Sequence, residues 1–168
     1  ANFHDSLLNK ETMNSDDLLL SDTWKLYFHF ASDNLTYTSS YSHIMNVTSC
    51  KDWAQMIRWV PNMELIHRPS VVLLMEGRPV QSYSFFKNGV IPEWEDPSNL
   101  NGFTLTSRGY LSCVDIEALW VLVTCDLVRG AMNDHILGVQ ILKKYKTIKV
   151  DFWFSHHAQP ESMCEELG

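Results

Sequence analysis

A chain of 168 residues with 45% hydrophobic and 20% charged content carries enough apolar surface for one globular core, and no break in composition divides it. Its formal net charge of -7 has the wrong sign for a protein that grips a long nucleic-acid backbone by counterion release, so any nucleic-acid contact is expected to be short and local. No apolar run reaches membrane-spanning length, the opening "ANFHDSLLNKETMNSDD" lacks the layout of a secretory signal, and Cys50, Cys113, Cys125 and Cys164 show no CxxC spacing, which excludes a membrane span and argues against a zinc module. A cytoplasmic location with free thiols is the expectation, the nucleus being the other compartment that fits.

Residues 1–21 are polar and acidic apart from "DDLLLSD", and read as a mobile N-terminal arm with room for one helical turn. From Trp24 the pattern changes. "WKLYFHF" sets Trp24, Leu26, Phe28 and Phe30 on one side and Lys25, Tyr27 and His29 on the other, the period of a half-buried strand. The loop "ASDNLTYTSS" follows, and "YSHIMNV", "SVVLLME", "YSFF" and "FTLTS" read as further strands. Between the last two lies "KNGVIPEWEDPSNLNG", broken by Asn-Gly and two prolines.

Two segments have helical character. In "SCKDWAQMIRWV" the residues Trp53, Met56, Ile57 and Val60 make one stripe, with Ser49 as N-cap. "DIEALWVLVTCDLVRG" begins acidic, ends on Arg129 and Gly130, and is apolar nearly all the way round. "ILGVQILKKY" and "TIKVDFWFS" then form two strands about a tight turn, and "PESMCEELG" starts a helix that stops abruptly, as if a C-terminal portion were removed. Helices set between groups of strands, rather than after each one, indicate an α+β fold with an antiparallel sheet.

The chemistry concentrates in the loop pair Trp94-Glu95. An arbitrary Trp-Glu pair is most often a loop indole packed on a strand edge beside a solvated carboxylate. The alternative is chemical: a guanine edge offers two parallel donors that one carboxylate can accept, and an adjacent indole can stack on the base. Methylation at N7 makes that base a cation, which adds a cation–π term. Such a reader needs a second aromatic plate and a cationic clamp for phosphate. The dense basic segment "KKYKTIK", with Lys143, Lys144, Lys146 and Lys149, is a candidate clamp or simply a solvated hairpin face.

Several landmarks in order then carry a resemblance. "YSFFKNGVIPEWEDPSN", "DTWKLYFHF" from Trp24, "DIEALWVLV" around Trp120 and "KKYKTIKVDFWF" ending at Trp153 together resemble the eukaryotic translation initiation factor 4E family, which binds the mRNA 5' cap, over roughly Thr23 to Ser155. The resemblance implies a curved antiparallel sheet of about eight strands, helices on its convex face and the cap in the concave one, with residues 22–168 as the cap-binding domain and its C-terminal helix truncated. By position, Tyr37 and Trp94 are the plates that stack on 7-methylguanine, with Tyr41 in place of Tyr37 if the first loop is shifted. Glu95 reads the guanine edge, Trp153 packs near the N7-methyl group, and Lys144, Lys146 and Lys149 hold the cap phosphates. Two departures stand out. Tyr37 occupies a position where the family has tryptophan, and "NGFTL" lacks the family's basic residue, Arg108 being the nearest substitute.

The resemblance further implies a monomer, without cofactor, metal or catalytic residue, that binds capped mRNA and a 4G-type initiation scaffold or 4E-binding protein. A helical peptide of that partner docks on the convex helical face, involving Trp53, Val121, Leu122 and Cys125. Two registers are open for the first helix: Trp53 as the exposed anchor, or Trp53 in the core with Ala54 at the anchor position. A core role for both sides of the long helix is equally open. The segment "PNMELIHRPSVVLLMEGRPVQS" is longer than the family's and reads as an extended loop or hairpin. His156, His157 and Cys164 lack a fourth metal ligand and read as surface residues. For hydrolysis, "EWED" would need further carboxylates on a facing helix, and the long helix offers only Asp115, Glu117 and Asp126. Translation initiation is therefore the expected role. A cap-binding repressor or decoy, and an interaction module that has lost cap binding, are the alternatives.

Overall fold

The alternation from Trp24 to Phe30 becomes part of a central strand. The computed structural model describes residues 18–31, 40–59, 72–93, 95–110, 113–143 and 147–158. In chain order these form β1 (Leu19–Phe30), β2 (Tyr41–Ser49), α1 (Cys50–Trp59), β3 (Leu74–Met75), β4 (Arg78–Lys87), β5 (Phe103–Gly109), α2 (Cys113–Val128), β6 (Ile136–Lys143) and β7 (Ile148–Phe154). The described strands make one antiparallel sheet in the order β2-β1-β4-β6-β7-β5, with β3 paired to β4. β2 and β5 are its edges, so the sheet is open.

One face of the sheet carries the main core. Trp24, Leu26, Phe28 and Phe30 are buried there with Tyr83 and Phe85 of β4, Val139 and Ile141 of β6, and Val150 of β7. Helix α2 closes this layer with Ile116, Trp120, Val123 and Leu127, whose spacing of four, three and four keeps them on one side of the helix. The Trp24 ring stacks on Phe85 with centroids 5.3 Å apart, and Trp120 meets Tyr83 edge-on at 4.7 Å. These offset and edge-on arrangements suit the ring quadrupoles. Gly130 ends α2 with φ of 69°, and the Ala131 N–H reaches back to the Asp126 carbonyl, a glycine-stopped helix end.

Helix α1 starts as its N-cap predicts. Ser49 Oγ accepts from the Asp52 N–H at 3.1 Å, and Asp52 Oδ2 accepts from the Ser49 N–H and from the hydroxyl and N–H of Thr48. These bonds, the Thr48 hydroxyl first, hold the Asp52 carboxyl below its usual range. Met56 is fully buried and Trp53 and Ile57 are half-buried against the core, so the stripe faces inward.

The strand boundaries differ most from the sequence pattern in β1, β3 and β4. β1 begins at Leu19, ahead of the arm boundary at residue 21, because Leu19 pairs with Ser49 and the Cys50 N–H donates to the Leu18 carbonyl. Leu19 itself is 82% exposed and offers no burial signal, so at that position the ladder carries the extension, while Leu20 packs against the core. Of "SVVLLME", residues 72–76 are described and hold the two-residue β3, which turns through Glu76 and Gly77, both at positive φ, into β4. That two-residue turn matches the twist of a hairpin. "YSFF" is the inner part of a ten-residue strand.

Candidate functional site

On the sheet's other face, cross-strand pairing lines up three rows. The first runs Arg108, Lys149, Leu142, Ser82, His29, Tyr41; the second Thr106, Asp151, Gln140, Ser84, Tyr27, His43; the third Thr104, Trp153, Gly138, Phe86, Lys25, Asn46. Residues paired across a ladder share a face, so each row presents its side chains together. This face is half aromatic and half polar.

The aromatic half is a second, smaller cluster of Tyr27, Phe86, Val90, Leu137 and Trp153, with Tyr41 packed against it. Trp153 meets Phe86 edge-on at 5.4 Å. Gly138 makes this possible: a Cβ there would lie 2.6 Å from two Phe86 ring carbons. The polar half is paired internally. His29 Nε2 and Ser84 Oγ are 2.7 Å apart, Gln140 Nε2 donates to Ser82 Oγ at 3.2 Å, and Thr106 Oγ1 donates to Asp151 Oδ1 at 2.6 Å. Lys149 Nζ lies 2.8 Å from the other Asp151 oxygen. Burial pulls the His29 imidazole down to about 4, so it is neutral at physiological pH.

The "IPEWEDPSN" loop is tied to this face. Asp96 is buried, and its carboxylate accepts from the Ile91 N–H at 3.1 Å and the Ser98 N–H at 2.7 Å. Asn99, also buried, donates through Nδ2 to the carbonyls of Ile91 and Glu93. The Asp-Pro-Ser-Asn run thus folds the loop around its own side chains, the ordinary use of Asp and Asn in turns. Gly102 closes the loop against β7, where any Cβ would collide with the Phe154 carbonyl. Tyr41 at the start of β2 then donates its hydroxyl to Glu93 Oε1 at 2.6 Å. That bond joins the strand leaving the first loop to the residue before Trp94. Tyr27 also feels the loop: burial first, and the Asp96 charge second, push its phenol up.

The sequence-derived residues divide accordingly. Trp153 and Lys149 share this face four positions apart on β7, Glu95 is exposed in the loop's turn, and Arg108 is exposed beside Lys149 across the ladder. Tyr37, Trp94, Lys144 and Lys146 lie outside the described residues. Tyr41 is committed to Glu93 and sits edge-on to Tyr27 at 5.7 Å. Sequence reasoning missed Glu93, Asp96, Asn99 and Asp151. For Asp96 and Asn99 the Asx-turn pattern was a usable signal; for Asp151 the signal was its alternation with Lys149 and Trp153 along one strand.

The residues expected on the helical face are also separated. Trp53 Nε1 donates to Thr124 Oγ1 at 3.0 Å, and that hydroxyl in turn donates to the Trp120 carbonyl at 2.8 Å, tying α1 to α2. Trp53 is thus half-buried with its N–H used. Val121 and Cys125 flank Thr124 and are half-exposed. Leu122 is 63% exposed and instead lines an open groove of about 370 Å³ with Leu119, Met132 and Phe152, between α2 and the β5-β7 end of the sheet.

The profile described as Eukaryotic initiation factor 4E matches residues 19–168. The chain belongs to this family. Eukaryotic translation initiation factor 4E-1A of Danio rerio is 23% identical over 149 residues, covering 86% of this chain and 64% of the zebrafish protein. Factor 4E-2 of Schizosaccharomyces pombe is 22% identical over 89 residues, 51% of this chain and 36% of the yeast protein. The chain thus spans less than two thirds of the length of either 4E relative. Among solved structures, C. elegans eIF4E-3 with the 4E-binding protein Mextli and cap analog matches with a TM-score of 0.70 at 18% identity, over 90% of this chain and 81% of that one. Ascaris suum eIF4E-3 with m7G cap matches with a TM-score of 0.72 at 16% identity, over 90% and 81%. At these identities the structures show a shared fold: the open antiparallel sheet with helices on one face is the 4E fold.

Proposed function

We propose that this chain is a non-catalytic binder of the 7-methylguanosine cap of mRNA that acts in translation initiation. What supports the reading most is one convergence: Trp153, Lys149 and the loop carrying Glu95 belong to the same face of the sheet, the loop being held there by the Tyr41–Glu93 bond. The 4E family and its cap-bound structural neighbours supply the ligand.

In this reading 7-methylguanine stacks between Trp94 and Tyr37, each plate contributing about 1–3 kcal/mol. The positive charge on the base strengthens both contacts. Glu95 accepts the two parallel donors of the guanine edge, and its exposure leaves it available to do so. Trp153 supplies an apolar wall for the N7-methyl group. Lys144, Lys146 and Lys149 face the phosphate bridge. The Asp96–Asn99 scaffold preorganises the loop, so little ordering cost falls on binding. On the helical face, the half-exposed Val121 and Cys125 beside the Trp53–Thr124 contact receive a helical peptide of a 4G-type scaffold or a 4E-binding protein; two neighbours of this fold are complexes with a 4E-binding protein.

Tryptophan-fluorescence titration with 7-methyl-GTP against GTP tests the cap reading. Quenching by the methylated ligand at a Kd at least about tenfold lower, lost in Glu95→Ala, is the expected result. Equal affinity for the two nucleotides rejects it.

A further inference from the structure

Lys149 is the described member of the proposed phosphate clamp, and it already has an anion. Its Nζ is 2.8 Å from Asp151 Oδ2, with the Lys149 side chain 23% exposed and that of Asp151 8%. Asp151 cannot easily swing away. Its other oxygen accepts the Thr106 hydroxyl at 2.6 Å, and Thr106 is its ladder partner on β5. Two residues apart on β7, Lys149 and Asp151 point to the same face, and Trp153 follows at the same interval. Asp151 therefore sits between the tryptophan assigned to the base and the lysine assigned to the phosphates. A phosphate approaching Lys149 meets a neutral pair rather than a free ammonium. Arg108, across the ladder from Lys149, is exposed and forms no ion pair among the described residues.

Resting on the cap reading above, we infer that Asp151 is a specificity-determining residue: it competes with the ligand's phosphates for Lys149, so that this chain selects the methylated base with only shallow dependence on the number of phosphates attached. The ligand class is the 7-methylguanine nucleotide, recognised chiefly by its base. Asp151 acts through Lys149 and is a positioning residue.

The discriminating quantity is the ratio of Kd for 7-methyl-GMP to Kd for 7-methyl-GTP, taken at one salt concentration. Asp151→Asn keeps the size and the Thr106 contact while removing the charge, and is expected to raise this ratio about threefold to tenfold over wild type. Lys149→Gln combined with Asp151→Asn replaces one neutral pair by another and is expected to return the ratio to within about twofold of wild type. An unchanged ratio in Asp151→Asn overturns the inference. So does a ratio in the double variant several-fold below wild type, which would mean that Lys149 serves phosphate despite Asp151; this arm stands even if the single variant does not fold. Binding of neither methylated nucleotide to the wild type defeats the cap reading instead. Base-selective binding with unmoved ratios defeats only the role of Asp151.

Discussion

The two faces of the sheet use similar residues to opposite ends. On the helix-covered face, Trp24, Phe85 and Trp120 lie in one continuous apolar layer, and the buried Trp24 and Trp120 N–H groups find no partner there. On the other face the aromatic cluster around Trp153 stops after a few residues, and His29, Ser84, Gln140, Asp151 and Lys149 fill the remainder with hydrogen bonds and an ion pair. One face is stabilised by burial at roughly 25 cal/mol per Å² of apolar area, which needs no partner. The other carries hydrogen bonds and an ion pair among its polar groups, which add little to stability but leave groups that can exchange partners with a ligand. Stability and recognition are thus carried by opposite sides of the same strands.

Removing one tryptophan from each side separates the two roles most clearly. Trp120→Ala should cost about 3–5 kcal/mol in chemical denaturation, because its cavity is enclosed by the main core. Trp153→Ala should cost less, since its cluster is small and bounded by polar rows; equal losses would mean that the second face is a core as well. Acid probes the same division next. His29 is held at about 4 in the folded state against 6.5 unfolded, so between these values the unfolded chain binds the extra proton. Stability is then full above about pH 6.5 and falls as pH drops toward 4, by about 2 kcal/mol at about pH 5. Urea midpoints across this range should show the loss in wild type and a flatter profile in His29→Gln. A smaller effect, about 1 kcal/mol, is expected for Ser49→Ala, which removes the α1 cap on the helix side and should leave nucleotide binding untouched. Tyr41→Phe should cost about 0.5–1.5 kcal/mol or less in stability, yet weaken 7-methyl-GTP binding several-fold by releasing Glu93 and the loop beside it. If the affinity stays put while stability falls, the Tyr41–Glu93 bond is structural only.

How far the site could be read from the chain differs residue by residue. Trp153 and Lys149 were legible because strand alternation puts every second residue of "KVDFW" on one face, and a resemblance named their partners. Asp151 sits in the same alternation, but its effect depends on Thr106, which lies 45 residues away and reaches it only through the β5-β7 register. The Tyr41–Glu93 bond spans 52 residues and left no local mark. The cap at Ser49 was readable because its partners lie within four residues, where chain connectivity already brings them together.

Local features follow from the sequence: the inward side of β1, the cap that starts α1, the glycine that ends α2, and the 4E landmarks in order. Only the tertiary structure decided what is paired across the sheet. It gave Leu19 a ladder partner despite its exposure, turned the Trp53 stripe to the core with its N–H on Thr124, sent Leu122 to a different surface from Val121, and set Asp151 against Lys149. The reason is physical: periodicity encodes which side of an element is apolar, whereas hydrogen bonds and ion pairs between elements depend on register and twist, which are settled when the whole sheet closes on its core.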